Sequence, residues 1–222
     1  MNELVQQESG LLGSEEAIER LAGADTAVIL IVSDTHGDYE AFEYIVRKYG
    51  SESDALLFAG DGIWDIVQYI ENAQISEKLY EALPPVVAFV AGNGDADQYR
   101  VRIPVGRNLP LPEEAAGFTL TVPARQKLSA CGYGIFLVHG HRHSVDFGLE
   151  MLIDAARAMD SDIAVFGHTH VPFIEQASHI LLLNPGSPSR PRSDSDCSFA
   201  LLELDAASIT PEVKLVTMPG RF

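Results

Sequence analysis

The chain has 222 residues, 46% of them hydrophobic and 21% charged, enough to fill the core of one ordinary α/β domain or two small ones. That composition excludes a disordered or coiled-coil protein. Fifteen Lys and Arg against thirty-two Asp and Glu leave a formal charge of −17, a field that repels nucleic acid and anionic lipid.

Residues 1–26 are polar and acidic and read as an N-terminal extension with one short helix, Ser14 to Ala22, stopped by Gly23. Residues 27–222 read as a single domain. The start Met1-Asn2-Glu3 has no basic or apolar leader pattern, and no apolar run approaches the roughly 18 to 20 residues of a membrane helix. A soluble, cytoplasmic protein is the expectation. Strands are predicted at Ala27–Ser33, Ala55–Ala59, Val86–Ala91, Phe118–Val122, Gly134–His139, Ile163–Gly167, His179–Leu183, Phe199–Leu204 and Glu212–Thr217, where β-branched and aromatic residues run between glycine-marked turns. Between them the period becomes helical: Phe42, Ile45, Val46 and Tyr49 share a face, as do Ile63, Ile66, Val67 and Ile70, and Leu149, Leu152, Ile153 and Ala156. Strand and helix alternate in the first half, as parallel crossovers require, and the last strands follow one another as antiparallel neighbours do. The expected core is a pair of packed mixed sheets with helices outside. Cys131 and Cys197 are far apart, belong to no Cys-x-x-Cys pattern and read as reduced thiols. Pro185 to Cys197 reads as a surface loop.

The chemistry-bearing residues sit at strand ends. Asp34 and His36 follow the first strand, Asp61 the second in Gly60-Asp61-Gly62, and Asn93 the third in Gly92-Asn93-Gly94-Asp95. His139 ends a later strand in His139-Gly140-His141, and His168 and His170 follow another in Gly167-His168-Thr169-His170. All seven are therefore expected at one edge of the sheets, outside the carboxyl ends of the strands, where open α/β folds build their sites. Imidazole nitrogen with carboxylate or amide oxygen suits divalent Mn, Fe, Zn or Ni, and no thiolate takes part. Read as extended segments, Asp-x-His and His-x-His each put two ligands on one side.

Five motifs in this order, Asp-x-His, Gly-Asp, Gly-Asn-x-Asp, His-Gly-His and Gly-His-Thr-His, followed by Asn184-Pro185-Gly186-Ser187, make the chain resemble the calcineurin-like metallophosphoesterases, and within them the small single-domain phosphodiesterases of the YfcE type. The resemblance runs from Ile29 to about Leu204. It implies a four-layer α/β/β/α sandwich of two mixed sheets and a centre of two divalent cations, manganese before the others. Asp34, His36 and His170 would hold one cation, Asn93, His139 and His168 the other, and Asp61 would bridge them. The implied reaction is hydrolysis of a small organic phosphate ester, a diester before a monoester, by in-line attack of a metal-bridging hydroxide, with cations about 3.5 to 4 Å apart. A homo-oligomer is expected by the same resemblance, with no nucleic-acid or membrane partner. The competing readings are a catalytically weak protein-binding scaffold like the retromer subunit of this fold, and a nuclease, which the acidic charge disfavours.

One position departs from the pattern. Where the protein phosphatases and nucleases of the superfamily carry a His after the motif Asn, this chain has Gly94, and the YfcE-type enzymes mostly have Cys. Leaving-group protonation then falls to water or to His141, which alternatively orients a ligand. Asp95 is expected to cap the next helix, His143 to be a solvated loop residue, and Arg190 and Arg192 to be loop charges, with phosphate contact the alternative.

Overall fold

The computed structural model describes residues 2–102, 117–208 and 210–219. In chain order the elements are α1 (Glu15–Ala22), β1 (Thr26–Val32), α2 (Tyr39–Tyr49), β2 (Ala55–Phe58), α3 (Ile63–Ala73), α4 (Glu77–Ala82), β3 (Val86–Phe89), β4 (Gln98–Arg102), β5 (Gly117–Thr121), β6 (Arg125–Ala130), β7 (Tyr133–Val138), α5 (Glu150–Ala158), β8 (Ile163–Val165), β9 (Phe173–Ala177), β10 (Ile180–Asn184), β11 (Ser198–Asp205) and β12 (Glu212–Thr217). One sheet has the order β12-β11-β1-β2-β3, the other β6-β7-β8-β10-β9, and β4 with β5 forms a separate hairpin. Within the first sheet β1, β2 and β3 are parallel, with Ile29 opposite Ala55 and Ala55 opposite Val86, and β11 returns antiparallel beside β1. Within the second, β7, β8 and β10 are parallel, and β6 and β9 run antiparallel at its edges.

The period-two alternation of side chains builds the layers. On β1, Ile29 and Ile31 face the second sheet, packing in one core with Ile135, Leu137, Ile163, Val165, Leu181 and Leu183. Leu30 and Val32 point the other way, onto Phe42, Ile45 and Val46 of α2 and Ile66, Val67 and Ile70 of α3. On β7 the same alternation sends Phe136 and Val138 outward beneath Leu152 and Ala156 of α5. Both sheets are covered on both faces, which is why β2, β3 and β8 are buried at every position. The result is the α/β/β/α sandwich of two mixed sheets, and all three predicted amphipathic faces point inward.

Three strands and a helix escape the sequence pattern. β4, β9 and α4 mix polar and apolar residues without a clean period and are partly exposed. β6 alternates perfectly in burial, but one of its inward positions is Gln126, whose amide oxygen accepts the Phe89 N–H at 2.8 Å and ties the edges of the two sheets together. A polar residue spent on an edge N–H breaks the apolar alternation that announces a strand. The N-terminal residues also do more than precede the domain. Leu12 exchanges two backbone hydrogen bonds of 2.8 Å with Val87, Leu11 and Leu12 are buried, and the Asn2 amide donates to Leu12, Pro84 and Pro85 carbonyls. This segment covers the open edge of β3. Among the described residues no helix is long and apolar enough to cross a membrane.

Candidate metal centre

The loops that leave β1, β2, β3, β7 and β8 meet at one end of the two sheets. Five of the seven predicted ligands, Asp34, His36, Asp61, His168 and His170, have φ between 49° and 71°, in the left-handed region. Asp and His tolerate this region better than most residues, yet each such position costs on the order of 1 kcal/mol or more and persists only where its surroundings over-determine it. The reading of Asp-x-His and His-x-His as extended segments is therefore corrected. The chain turns sharply at each of these five, and the two histidines of His168-Thr169-His170 diverge.

Asp34 is the hub. It is fully buried, and its Oδ1 lies 3.2 Å from His139 Nε2, 3.3 Å from His170 Nε2 and 3.9 Å from His36 Nε2. His36 and His170 face each other through their Nε2 atoms at 3.0 Å. Asp61 Oδ2 is 3.8 Å from His36 Nε2 and 3.8 Å from His139 Nε2, equidistant between an imidazole of each predicted ligand set. Ligand atoms of Asp34, His36 and His170 form one group within 4.8 Å, and those of Asp34, Asp61 and His139 another. The shared carboxylate of these two groups is Asp34, with Asp61 beside it. His168 lies at the margin: its ring is 5.1 Å from that of His139, but its Nε2 faces Asp146 Oδ2 at 2.8 Å. Asn93 is exposed.

The donor set fits a divalent cation. Edges of 3.0 to 3.3 Å between ligand atoms are those expected between neighbouring ligands on bonds of about 2.0 to 2.2 Å. Imidazoles converging on one buried carboxylate are also satisfied better by a cation than by the few protons they can share. Burial works against ionised Asp34, but hydrogen bonds from His139, His170 and the Ser33 hydroxyl outweigh it and hold the carboxyl well below the usual range. Burial likewise pulls against protonated His170, and the Asp34 carboxylate overrides it and raises the imidazole.

Supporting groups fix these side chains. Ser33 Oγ and the His168 N–H donate to Asp34 Oδ2, at 2.6 and 3.0 Å, and the Gly94 N–H donates to Asp61 Oδ1 at 2.7 Å. Asp95 caps a helix, but the preceding one: its carboxylate accepts from the N–H groups of Asp61, Gly62, Ile63 and Gly92, holding the entry to α3. Gly92 is obligatory here, since a Cβ would stand 2.0 Å from Asp61 Oδ1 and 2.4 Å from Asp61 N. His170 Nδ1 donates to the Arg190 carbonyl at 2.6 Å, which leaves Nε2 for the hub.

The sequence pattern assigns Asn184 and Ser187 no individual role, and reads Asp65 as complementing the dipole at the start of the helix after Gly-Asp. Asn184 and Ser187 are fully buried: the Asn184 amide donates to Gly167 O and Thr169 Oγ1, and Ser187 Oγ donates to Asp34 O. The loop after Asn184 is thus a brace between the ligand turns of both sheets. Its signal was the fixed position of Asn-Pro-Gly-Ser behind the last histidine motif. Asp65 accepts from Thr35 Oγ1 and the Gly37 N–H, clamping the turn between Asp34 and His36. His143 is half-buried, edge-on to Phe136, with Nδ1 buried and unbonded; the solvated reading is corrected, because a single 3₁₀ turn at His141–His143 brings the ring against Phe136 of β7.

His141 contacts the hub through His139. The Arg142 Nε–H donates to His141 Nε2 at 3.3 Å, and His141 Nδ1 lies 2.9 Å from His139 Nδ1. Burial lowers the His141 pKa, and the neighbouring His139 and Arg142 add to this.

The sequence profile described as the Calcineurin-like phosphoesterase superfamily domain matches residues 28–207. Phosphodiesterase YfcE of Escherichia coli is 29% identical over 187 residues, covering 82% of this chain and 90% of that protein. The probable metallophosphoesterase YsnB of Bacillus subtilis is 28% identical over 184 residues, covering 82% and 88%. Among solved structures, a conserved predicted phosphoesterase of Streptococcus pneumoniae superposes with a TM-score of 0.62 at 25% identity over 89% of this chain and 96% of that one. Vacuolar protein sorting 29 of Cryptosporidium parvum shares the fold with a TM-score of 0.57 at 20% identity, over 88% and 99%. With a profile match across most of its length and Asp and His side chains gathered where a metal could sit, the chain belongs to the calcineurin-like phosphoesterase superfamily.

Proposed function

We propose that the protein is a metal-dependent phosphodiesterase with a dinuclear centre, acting on a small organic phosphate ester. The observation that carries this reading is the convergence of Asp34, His36, Asp61, His139 and His170 into two overlapping groups of ligand atoms. Asp34, His36 and His170 would hold one cation, and Asn93, His139 and His168 the other. Asp61 would bridge them, with Asp34 Oδ1 close to both sets. When bound, the cations supply Lewis acidity toward the phosphoryl oxygens and make water a nucleophile near neutral pH. Manganese suits this mixed nitrogen and oxygen set, as do iron, zinc and nickel.

The chain's own part is positional. Ligation through His139 Nε2 requires that nitrogen to be unprotonated, so its proton sits on Nδ1 and is donated to His141 Nδ1. His141 is thereby the Nε2–H tautomer, a donor at the mouth of the site in place of its contact with Arg142. With its pKa lowered by burial, His141 is neutral near pH 7; it donates a hydrogen bond to the phosphate and is a poor proton source for a leaving group. Gly94 adds no acid either. Esters whose leaving groups depart as stable anions are therefore the preferred substrates. Equal rates for alkyl and aryl diesters under chemistry-limited conditions would contradict this.

The deciding experiment is hydrolysis of an aryl phosphodiester by chelator-stripped protein, with and without added Mn²⁺. Turnover that appears only with metal supports the reading. No turnover with any divalent metal overturns it in favour of a binding scaffold.

A further inference from the structure

Trp64, the only tryptophan of the chain, is 53% exposed although it is three residues from Asp61. It stands on the first turn of α3, whose entry is held by Asp95. Its ring is partnered by Tyr99, with centroids 6.1 Å apart and planes tilted by 41°. The Tyr99 hydroxyl accepts the Ala96 N–H at 3.0 Å and reaches Asp95 Oδ1 at 3.5 Å, the carboxylate that also holds the Asp61 N–H. The aromatic pair is thus fixed, through one residue, to the backbone of a proposed ligand.

The exposed backbone beside Asp61 carries no side chain at Gly94. At Gly94, where the superfamily resemblance leads one to expect a His or Cys, the three nearest atoms to an added Cβ would all belong to Asp61, at 3.3 to 3.8 Å. Asn93 and Gly94 are themselves exposed. A side chain missing beside Asp61 and a large exposed ring three residues along the chain, backed by a tyrosine that reaches Asp95, are two independent features of this part of the molecule. A planar ring laid against an exposed indole buries apolar surface and gains an aromatic contact.

We propose that Trp64, backed by Tyr99, is a stacking platform for a planar aromatic group of the phosphate ester, an aryl ring or a nucleobase, bound beside Asp61. This rests on the phosphodiesterase reading for the ester and extends it to the class of group that the ester carries. Trp64 then sets specificity and leaves the reacting atoms to the ligands.

The single indole makes the test direct. Tryptophan fluorescence of the metal-loaded protein is titrated with phenyl phosphate, with adenosine 5′-monophosphate and with glycerol 3-phosphate. Saturable quenching by either aromatic phosphate, absent with glycerol 3-phosphate, is expected; phenyl phosphate alone identifies an aryl substrate, and adenosine monophosphate a base. Equal quenching by all three, or none by any, overturns the platform. In turnover, Trp64→Ala is expected to raise KM for an aryl diester about tenfold, with kcat within about twofold and Trp64→Phe restoring most of it. A loss confined to kcat, or a Phe variant no better than Ala, also overturns it. A protein that binds and quenches but never turns over retains the platform and refutes the hydrolase reading.

Discussion

The two sides of the candidate centre are built differently. On the inner side Asp34, His139 and His170 are buried, both imidazoles lie 3.2 to 3.3 Å from Asp34 Oδ1, and each residue is tied to a fixed partner. On the outer side Asn93 is exposed and His168 turns its Nε2 toward Asp146. Charge and imidazole concentrated in a dry, braced pocket make a strong ligand set before any cation arrives, because a fixed arrangement loses little entropy on binding. Open side chains must be reoriented first. The inner half is thus preorganised, and the outer half is left adjustable, on the exposed side.

The sharpest way to break this comparison is to remove one imidazole from each half. His139→Ala should lower kcat by about a thousandfold or more and empty metal from the protein, as loss of several kcal/mol of charge stabilisation would. His168→Ala should cost about 10- to 100-fold, with less metal lost. Kinetics alongside metal analysis decides, and equal losses would end the distinction.

A smaller effect compares two glycines. Gly92→Ala drives a Cβ into the Asp61 carboxylate and backbone and should destabilise the fold by about 1 to 3 kcal/mol. Gly94→Ala, whose nearest contact is 3.3 Å, should lower Tm by distinctly less. Thermal melts of the two variants check this, and a Gly94 variant as unstable as the Gly92 one would show that the outer wall is as tightly built as the inner.

The smallest expected effect is on pH. Burial, with Arg125 adding to it, lowers the His143 pKa in the folded protein, while the unfolded ring protonates near the ordinary value of about 6.5. Below that pH the unfolded state therefore binds more protons, and stability falls as pH falls. His143→Gln should flatten the decline of Tm between about pH 7 and pH 5; an unchanged slope would assign the acid sensitivity to His36 and His141, whose pKa values burial also lowers.

Much of this molecule is legible in the chain. The parallel strands are continuous apolar runs because both their faces are covered, and the amphipathic faces of α2, α3 and α5 are plain in Phe42, Ile45, Ile66, Val67 and Leu152. The polar elements are not legible, since β6 spends Gln126 on an inter-sheet hydrogen bond and β4 and β9 carry exposed side chains. Nor is the segment before α1, whose value lies in the edge of β3 that it covers.

The sequence by itself determined which residues could meet: side chains that end successive parallel strands emerge at one edge, so motif order alone brings Asp34, Asp61, His139 and His170 together. Only the tertiary structure decided how they meet. The left-handed turns at Asp34, His36, Asp61, His168 and His170, the sharing of Asp34 Oδ1 by three imidazoles, and the brace from Asn184 and Ser187 depend on contacts between segments far apart in the chain. Strained backbone persists only where such contacts hold it, and no local pattern of residues reports them.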